Sequence, residues 1–392
     1  MSSTVTFGHP NETLRPDLTQ KVWDFIIIGA GPAGGMAAYS LSKSGLTILL
    51  VDQAEFPRRK VCGGCLSRRA VKVLERAGLS GFPEKLSAKK LHTIRFFSAG
   101  RSVSLSIPEG AGLSRERLDA ALVEEAQKRG VVFEDRTKGR LDRVENDLAY
   151  VHLTRPEGRI EARAKIVLFC SGLSGTPAGG NVFQSRKVIQ DSLIGLSTVL
   201  PPSALSLEEG VVAMICSDTG YAGITRREDN HWDVAAAVQP AFLKDAGTPG
   251  RCVEQILAES GFKIPSGLHD AAWHGTPPLT QSQERVSGNR YFLLGDASGY
   301  VEPLTGEGMT WALLQGQEIS ELLESRRFQW DESLVFSWQN KHRLLLQQRM
   351  QSCRLISLII RRAWARNLAL NLLRAAPWLT HPLIRYIHGD SK

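Results

Sequence analysis

The 392-residue chain is poor in cysteine, in aromatic residues and in long apolar runs. Six cysteines in a chain of this length do not make the disulfide framework of a small secreted protein. No run of about 18 apolar residues occurs, so we expect no membrane-spanning helix. The polar first 22 residues lack the apolar stretch of a signal peptide. These absences predict a cytoplasmic protein, with peripheral attachment to a membrane left open.

Basic charge is concentrated at one end of the chain. Lys and Arg number 48 and Asp and Glu 40, which gives a net charge of +8. Residues 341–392 contain ten basic residues and one acid, Asp390, so this segment carries +9 and the remainder −1. A nucleic-acid-binding protein more often spreads basic charge over a folded recognition face. We therefore expect no nucleic acid partner.

The composition is that of a globular chain with more than one domain. Apolar residues make up 42% and charged residues 22%, which excludes a disordered chain or a coiled coil. A typical size of about 100–200 residues per domain predicts two domains.

A dinucleotide-binding fingerprint follows the first apolar run. Residues 23–28 (Trp-Asp-Phe-Ile-Ile-Ile) predict a buried parallel strand, and the next six read Gly-Ala-Gly-Pro-Ala-Gly. A predicted helix over 35–44 and a strand over 46–51 complete a β-α-β unit that ends at Asp52. Glycines at these spacings allow a tight turn, close approach of a pyrophosphate and close helix packing, and the acid binds a ribose. The predicted contacts are Gly29, Gly31, Pro32, Ala33, Gly34, Asp52 and Gln53.

A second motif indicates that the dinucleotide is FAD. Residues 293–309 (Leu-Leu-Gly-Asp-Ala-Ser-Gly-Tyr-Val-Glu-Pro-Leu-Thr-Gly-Glu-Gly-Met) resemble the Gly-Asp motif of flavoproteins related to p-hydroxybenzoate hydroxylase. In that family the Asp binds the ribityl chain, and glycines at a helix start direct N–H groups at the flavin. The resemblance extends to an arginine at the start of a predicted helix over 115–129. It assigns FAD contacts to Gly295, Asp296, Gly306, Gly308, Met309 and Arg115.

The loop after the first β-α-β unit carries a closer resemblance. Residues 56–70 (Phe-Pro-Arg-Arg-Lys-Val-Cys-Gly-Gly-Cys-Leu-Ser-Arg-Arg-Ala) resemble the Lys-x-Cys-Gly-Gly-Gly-Leu-Ser segment of the geranylgeranyl reductase family. Flavin-dependent halogenases share only the Phe-Pro-Arg start. The resemblance covers about residues 22–325 and implies that Cys62 and Gly63 contact the flavin. Cys62 and Tyr221 are the candidate catalytic residues, in the flavin or substrate pocket.

The role of the Cys62/Cys65 pair stays open at this point. The chain has no second Cys/His pair at metal spacing, so we expect no metal site. A redox dithiol and a glycine-rich loop folded over the flavin are the two interpretations.

Two departures from the family pattern bear on the reaction. Residues 170–172 read Cys-Ser-Gly where these flavoproteins usually have Ala-Asp-Gly, and in the hydroxylases that Asp serves the response to NADPH. The electron source is therefore NAD(P)H or a separate flavin reductase. Residues 221–226 read Tyr-Ala-Gly-Ile-Thr-Arg where the reductases have Tyr-x-Trp-x-Phe-Pro along the isoprenoid cavity. This change predicts a small, polar wall and disfavours a plain prenyl chain. The halogenase signature Trp-x-Trp-x-Ile is absent.

The predicted fold is α/β with three parts. A glutathione-reductase-type, Rossmann-like FAD domain is split over residues 20–85, 112–180 and 283–325. An antiparallel β-sheet substrate domain comprises 86–111 and 181–282, and a basic helical region comprises 326–392. The predicted function is two-electron chemistry by an FAD-dependent oxidoreductase, either C=C reduction or hydroxylation, on a small lipophilic or aromatic substrate. The alternatives are a monooxygenase or halogenase-like enzyme acting on a carrier- or protein-bound substrate, and an electron-transferring flavoprotein at a membrane surface.

The basic C-terminal region allows two interpretations. Residues 355–360 (Leu-Ile-Ser-Leu-Ile-Ile) precede Arg361 and Arg362, and Trp364 and Trp378 follow. The first interpretation is a helical cap over the substrate domain with its arginines in solvent. The second is a basic amphipathic surface that binds an anionic membrane or an acidic carrier protein.

Overall fold

The computed structural model describes residues 17–175, 186–301, 306–360 and 362–375, with the side chains of 346–359 also outside the description. Two eight-stranded sheets form its framework. The α/β class, the Rossmann-like sheet and the helical C-terminal region are confirmed.

The first sheet is parallel at its centre, with the strand order β18-β9-β1-β2-β6. The strands of this sheet are β1 (Val22–Ile28), β2 (Ile48–Val51), β6 (Val132–Glu134), β7 (Lys138–Glu145), β8 (Leu148–Arg155), β9 (Gly158–Phe169), β17 (Ser287–Gly288) and β18 (Tyr291–Leu293). All four residues of β2 are buried, as an unbroken apolar run predicts for a strand covered on both faces.

β9 joins two segments that the sequence pattern separates. Alternating apolar and polar residues over 131–161 predict a β-meander, and the apolar run over 165–170 predicts a separate buried strand. Instead, one twelve-residue strand pairs antiparallel with β8 at its start and parallel with β1 towards its end. Its burial changes from half-exposed to complete along its length, which explains why the pattern reads as two elements.

The second sheet is mainly antiparallel, with the order β15-β11-β14-β13-β12-β4-β5-β3 and one parallel pair, β12 with β4. Its strands are β3 (Cys65–Leu66), β4 (Lys89–Ser98), β5 (Arg101–Gly112), β11 (Ile194–Leu200), β12 (Val211–Cys216), β13 (Gly220–Arg226), β14 (Trp232–Val238) and β15 (His274–Pro278). A separate pair consists of β10 (Arg186–Val188) and β16 (Gln281–Gln283).

The helices connect and cover the sheets. They are α1 (Pro32–Ser42), α2 (Arg68–Arg76), α3 (Phe82–Lys85), α4 (Arg115–Gln127), α5 (Pro240–Ala246), α6 (Pro249–Glu259), α7 (Gly308–Ser325), α8 (Ser333–Ile360) and α9 (Ala363–Ala375). α1 begins three residues before the predicted helix because Pro32 fits the first helical position, with its φ already fixed.

Sequence analysis missed α6, which lies in a region predicted to be strands. The Thr248 side chain accepts a hydrogen bond from the Arg251 N–H, and Pro249 occupies the first turn. This cap followed by a proline is the signal that identifies the helix start. The apolar face of α6 packs on the second sheet in a cluster that includes Ile256 and Ile224.

The start of α8 is anchored to the first sheet. The Trp338 side chain is buried and donates a hydrogen bond to the Leu293 carbonyl. This part of the C-terminal region is therefore a structural cover, and it lies over the first sheet rather than the second. Arg361, Trp378 and the side chains of 355–359 lie outside the described residues. Among the described residues, none of the helices combines the length and the apolar character needed to cross a bilayer.

Candidate functional site

Most of the residues that the two sequence motifs predict to bind the cofactor line a single cavity. It has a volume of about 360 Å³ and lies between the carboxyl ends of the parallel strands and the second sheet. Ligands in open α/β sheets bind at this end of the strands. All the sequence-predicted site residues line the cavity except Gly34 and Gly295.

The fingerprint loop brings the backbone of α1 to the cavity. Gly29 has a φ of +106°, and a Cβ on Gly34 would overlap the Gly29 carbonyl oxygen. Gly34 therefore serves the turn rather than the cavity wall. Gly31 is the N-cap of α1 and no side chain caps this helix end. The first-turn N–H groups are thus available to an anion.

Two arginines flank this open helix end. A Cβ on Gly31 would lie 3.3 Å from an Arg115 guanidinium nitrogen and 3.6 Å from one of Arg58. Arg58 is buried and donates to Asp52 at 3.2 Å and to Asp119 at 2.8 Å. Arg115 donates to Asp119 at 2.8 Å. Sequence analysis missed Arg58, and the Phe-Pro-Arg start of its loop was the available signal.

Asp52 already has a structural task. Its Oδ2 accepts a hydrogen bond from the Ala30 N–H at 2.9 Å, and its Oδ1 accepts one from the Ala54 N–H at 3.0 Å. With Arg58 as a third donor, Asp52 fixes the fingerprint loop while also lining the cavity.

The Gly-Asp motif supplies the opposite part of the same wall. Asp296 lines the cavity in the turn after β18, and Gly308 and Met309 line it at the start of α7, whose N-terminus has no side-chain cap. Burial raises the pKa of Asp296, and the positive charges of Arg115 and Arg186 oppose this rise.

Gly295 acts behind the cavity. Its N–H donates to the Gln315 side chain at 2.9 Å, and Gln315 also accepts a hydrogen bond from the Ser298 hydroxyl. His342 on α8 lies 2.9 Å from the same hydroxyl, and burial lowers the pKa of His342 to about 4, so the ring is neutral. These polar supports were not predicted, because their partners are distant in sequence.

The Cys62–Cys65 loop folds against the second sheet. Gly64 has a φ of +62°, and a Cβ there would overlap the Asp233 carboxylate. The Gly64 carbonyl accepts a hydrogen bond from the Leu113 N–H at 2.8 Å. Both cysteines are free thiols that line the cavity. Burial raises the pKa of Cys62 and raises that of Cys65 to about 12, so both are protonated near neutral pH. This argues against a redox dithiol, whose reactive form is the thiolate.

A charged cluster fixes this loop to the start of α4. Arg227 lies 3.7 Å from Asp233 and 3.2 Å from Glu116. Glu228 accepts hydrogen bonds from the Ser114 N–H and hydroxyl at 2.8 and 2.6 Å. Burial raises the pKa of Asp233 to about 7, against the opposing charge of Arg227. The cluster determines where Cys62 and Arg115 lie relative to each other.

The second sheet lines the rest of the cavity, which we call the substrate half. Its lining residues are Ile94, Gly195, Val212, Met214, Tyr221, Gly223, Thr225, Ala235, Ala236, Ala237, Gly275, Thr276, Pro277 and Leu279. Among these described residues there is no ionised side chain. We call the remainder the FAD half, and it contains all the charged lining residues of the described chain: Asp52, Arg58, Lys60, Arg115, Lys138 and Asp296.

The expectation of a small, polar substrate wall is only half right. Tyr221, Gly223 and Thr225 of β13 face the cavity as the period of a strand requires. However, the neighbouring strands add Val212 and Met214, so the wall is small but mainly apolar. The segment 221–226 alone could not reveal these neighbours.

The residues fit FAD. The uncapped start of α1, flanked by Arg58 and Arg115, suits a pyrophosphate. The Ser171 hydroxyl at the end of β9 is buried in the cavity wall and has no hydrogen-bond partner among the described residues. A buried polar atom without a partner is rare in a native protein, which supports a bound polar group here.

Comparison with known proteins agrees with this geometry. A family model described as an FAD binding domain matches residues 23–323. The chain is 27% identical to a menaquinone reductase of Mycobacterium tuberculosis, over 77% of each chain. It is 26% identical to a digeranylgeranylglycerophospholipid reductase of Methanopyrus kandleri, over 76% of this chain and 80% of that one. Flavin-dependent brominase Bmp2 has the same fold, with a TM-score of 0.79 at 15% identity over 94% of each chain.

Proposed function

Since the chain belongs to the FAD binding domain family and is an FAD-dependent oxidoreductase, we propose that it reduces a C=C bond in an uncharged lipophilic substrate. The observation that carries this proposal is the substrate half of the cavity, where the described lining residues are apolar or small and none is ionised. A charged substrate group buried there would have no partner of opposite charge, which would cost roughly several kcal/mol. The reductase relatives support the choice of reduction over hydroxylation, because their similarity spans three quarters of both chains.

The FAD half supplies the binding groups. We assign the pyrophosphate to the N-terminus of α1 with Arg58 and Arg115, the adenosine ribose to Asp52, and the ribityl chain to Asp296. The N-terminus of α7, with Gly306, Gly308 and Met309 in the cavity wall, would hold the flavin ring. Bound FAD in its reduced form supplies the electron pair with one hydrogen.

Cys62 supplies the proton in this proposal. Its thiol is protonated because burial raises its pKa, and it lies in the cavity wall beside Gly63. A Cβ on Gly63 would lie 3.7 Å from the Ala235 side chain, which places the loop against the substrate half. One alkene carbon receives the hydride equivalent and the other receives the thiol proton. Water then returns a proton to the thiolate, which the positive charge of Arg115 stabilises in the meantime.

The electrons come from a separate reductase or from free reduced flavin. Ser171 stands where related hydroxylases use an Asp in the response to NADPH. We therefore expect slow direct reduction by NAD(P)H. The remaining partner hypothesis concerns the C-terminal region, where an anionic membrane surface and an acidic carrier protein were the two candidates, and the apolar character of the substrate favours the membrane.

The test uses full-length protein loaded with FAD and reduced with dithionite under anaerobic conditions. Menaquinone and a digeranylgeranyl lipid, dispersed in detergent, are the substrate probes. We expect flavin reoxidation together with a product that has gained two hydrogens, measured by mass spectrometry. General acid catalysis contributes about 10²–10⁴-fold, so Cys62→Ala should slow reoxidation by at least about 100-fold. Cys62→Ser keeps a proton on a hydroxyl, which is smaller than the thiol, so its reoxidation rate should lie between those of wild type and Cys62→Ala.

Other products would identify the alternatives. Substrate-stimulated oxygen consumption and a product with an added oxygen would show a monooxygenase. Reoxidation by electron acceptors with no change in any lipid probe would show an electron-transferring flavoprotein. Equal rates for wild type and Cys62→Ala would remove Cys62 from the proton transfer and leave Tyr221 as the other sequence-predicted candidate.

A further inference from the structure

α9 exposes an apolar stripe. Trp364 is 68% exposed, Leu368 53% and Leu372 50%, and their spacing of four residues places them on one side of the helix. We call these three residues the α9 stripe. Single exposed apolar residues are common on proteins, whereas a contiguous row on one helix face marks an interaction site.

The opposite face of α9 is fixed to the second sheet. Arg366 and Leu370 are the buried residues of the helix, and each lies two positions from a stripe residue, on the far side. Arg366 donates hydrogen bonds to the Ser98 hydroxyl at 2.7 Å, to the Ile360 carbonyl at 2.6 Å and to Asp218 at 2.9 Å. The expectation that the arginines of this region all face solvent is therefore wrong for Arg366. Its three bonds hold the helix with the stripe outward.

The charged residues of α9 and its flanks in the sequence are all basic. Arg362 and Arg374, at the two ends of α9, are exposed. The sequence from 333 to 389 contains no acidic residue. An apolar row on a basic helix is the composition of a helix that lies in the interface of an anionic membrane. An acidic protein would equally match the charge, but it would not require the apolar row.

The end of α8 packs against the apolar part of the cavity wall. Ile360, the last residue of α8, is buried in the same hydrophobic cluster as Met214, Tyr221 and Leu279. These three residues also line the cavity. The α9 stripe begins at Trp364, shortly after Ile360 in sequence, and therefore begins near the wall of the substrate half.

We propose that the α9 stripe docks on the surface of an anionic lipid bilayer, so that a lipophilic substrate passes between the bilayer and the cavity near Ile360. The evidence for the docking surface is the apolar stripe, its fixed orientation and the basic charge of the helix. Only the passage of substrate rests on the proposed function.

Vesicle sedimentation tests the docking directly. Full-length, FAD-loaded protein is mixed with vesicles of phosphatidylcholine alone or with about one third phosphatidylglycerol. We expect binding to the anionic vesicles, much weaker binding to the neutral ones, and a decrease as salt rises from low to physiological concentration, because the Debye length shortens from roughly 30 Å to 8 Å. The triple variant Trp364→Gln/Leu368→Gln/Leu372→Gln should bind anionic vesicles at least about tenfold more weakly.

A matched variant separates this stripe from general surface hydrophobicity. Phe336 and Leu344 on α8 are 70% and 72% exposed, which equals or exceeds the exposure of the stripe. Phe336→Gln/Leu344→Gln should bind vesicles like wild type. FAD content, read from flavin absorbance, should be unchanged in both variants, which excludes misfolding. Equal weakening in the two variants, or undiminished binding in the stripe variant, would overturn the proposal.

The vesicle readout is independent of activity, so failure of the proposed reduction would leave it intact. If wild type ignores anionic vesicles and instead forms a dimer that the stripe variant lacks, the stripe contacts a second copy and the membrane proposal is wrong. If docking holds, the stripe variant should keep its turnover of detergent-dispersed substrate and lose most turnover of vesicle-embedded substrate.

Discussion

The two halves of the cavity differ in how they treat charge. In the FAD half, three charged lining residues form ion pairs: Arg58 contacts both Asp52 and Asp119, and Arg115 contacts Asp119. In the substrate half, the described residues offer hydroxyls and a thioether but no ionised side chain. An anionic cofactor needs fixed positive charge close to it, whereas an apolar substrate gains from the absence of groups that would have to lose water.

The two halves also differ in which parts of the fold form the cavity wall. The FAD half is made from strand ends and the loops that follow them, so each motif contributes several neighbouring residues. The substrate half takes alternate residues from β12 and β13. A substitution in the first half should therefore disturb cofactor binding and stability together, and one in the second should change substrate choice alone.

The largest effect is expected from Arg58→Met. The change removes the cation between Asp52 and Asp119, which are 8% and 1% exposed at their side chains. Breaking a buried ion pair by removing one partner costs about 3–5 kcal/mol, so urea unfolding should show a loss near the lower figure, because Arg115 still contacts Asp119. FAD content should fall in parallel.

Arg59→Met is the matched control for this substitution. The Arg59 side chain is 37% exposed and its contact with Glu116 is 3.8 Å long. Exposed pairs contribute roughly 0–1 kcal/mol, so stability and FAD content should hardly change. Equal losses at the two positions would show that the paired charges of the FAD half are not special.

A smaller effect is expected when the substrate half is narrowed with Gly223→Trp. This substitution restores the Trp of the geranylgeranyl reductase pattern at a position where a Cβ lies 3.2 Å from the Met214 sulfur. We expect kcat/KM for a wide lipid to fall by about 10–100-fold, equivalent to roughly 1–3 kcal/mol, while FAD content is unchanged. Gly223→Ala is the control and should have little effect. Loss of FAD from the Trp variant would mean that the two halves are not independent.

A pH-dependent effect is expected at Asp233, which contacts the Cys62–Cys65 loop. Its pKa is raised from 3.8 to about 7 in the folded protein, so the native state holds this proton more tightly than the unfolded chain. The resulting stabilisation is complete below about pH 4 and is lost as the pH rises through about 7. Asp233→Asn should flatten this fall in unfolding free energy, measured by urea titration at several pH values.

Asp229→Asn provides the comparison for the pH experiment. Asp229 pairs with the same Arg227 at 3.2 Å, but its side chain is 43% exposed. Its loss should leave the slope between about pH 4 and 7 as in wild type. Glu307, whose pKa burial also raises to about 7, should maintain part of the slope in both variants. An unchanged slope in Asp233→Asn would assign the whole pH dependence to such other groups.

Sequence reasoning worked best where the chemistry is local. The turn at Gly29, the packing of Gly34 and the acid at Asp52 follow within one β-α-β unit, so their spacing carries the geometry. The site assignments made from the two motifs remain proposals, although the structure places most of those residues around one cavity. The predicted polar wall failed in part because residues 221–226 describe a single strand, and its neighbours supply the apolar side chains.

By itself, the sequence determined the Rossmann-like unit, the FAD chemistry and the excess of positive charge near one end of the chain, because each depends on residues close together in sequence. Only the tertiary structure decided that Arg58 lies between two buried carboxylates and that Asp233 contacts the Cys62–Cys65 loop. It alone showed that Arg366 faces inward while Trp364 faces out. These relations depend on which sheet a helix or loop packs against, and helical or strand periodicity identifies a face without naming its partner.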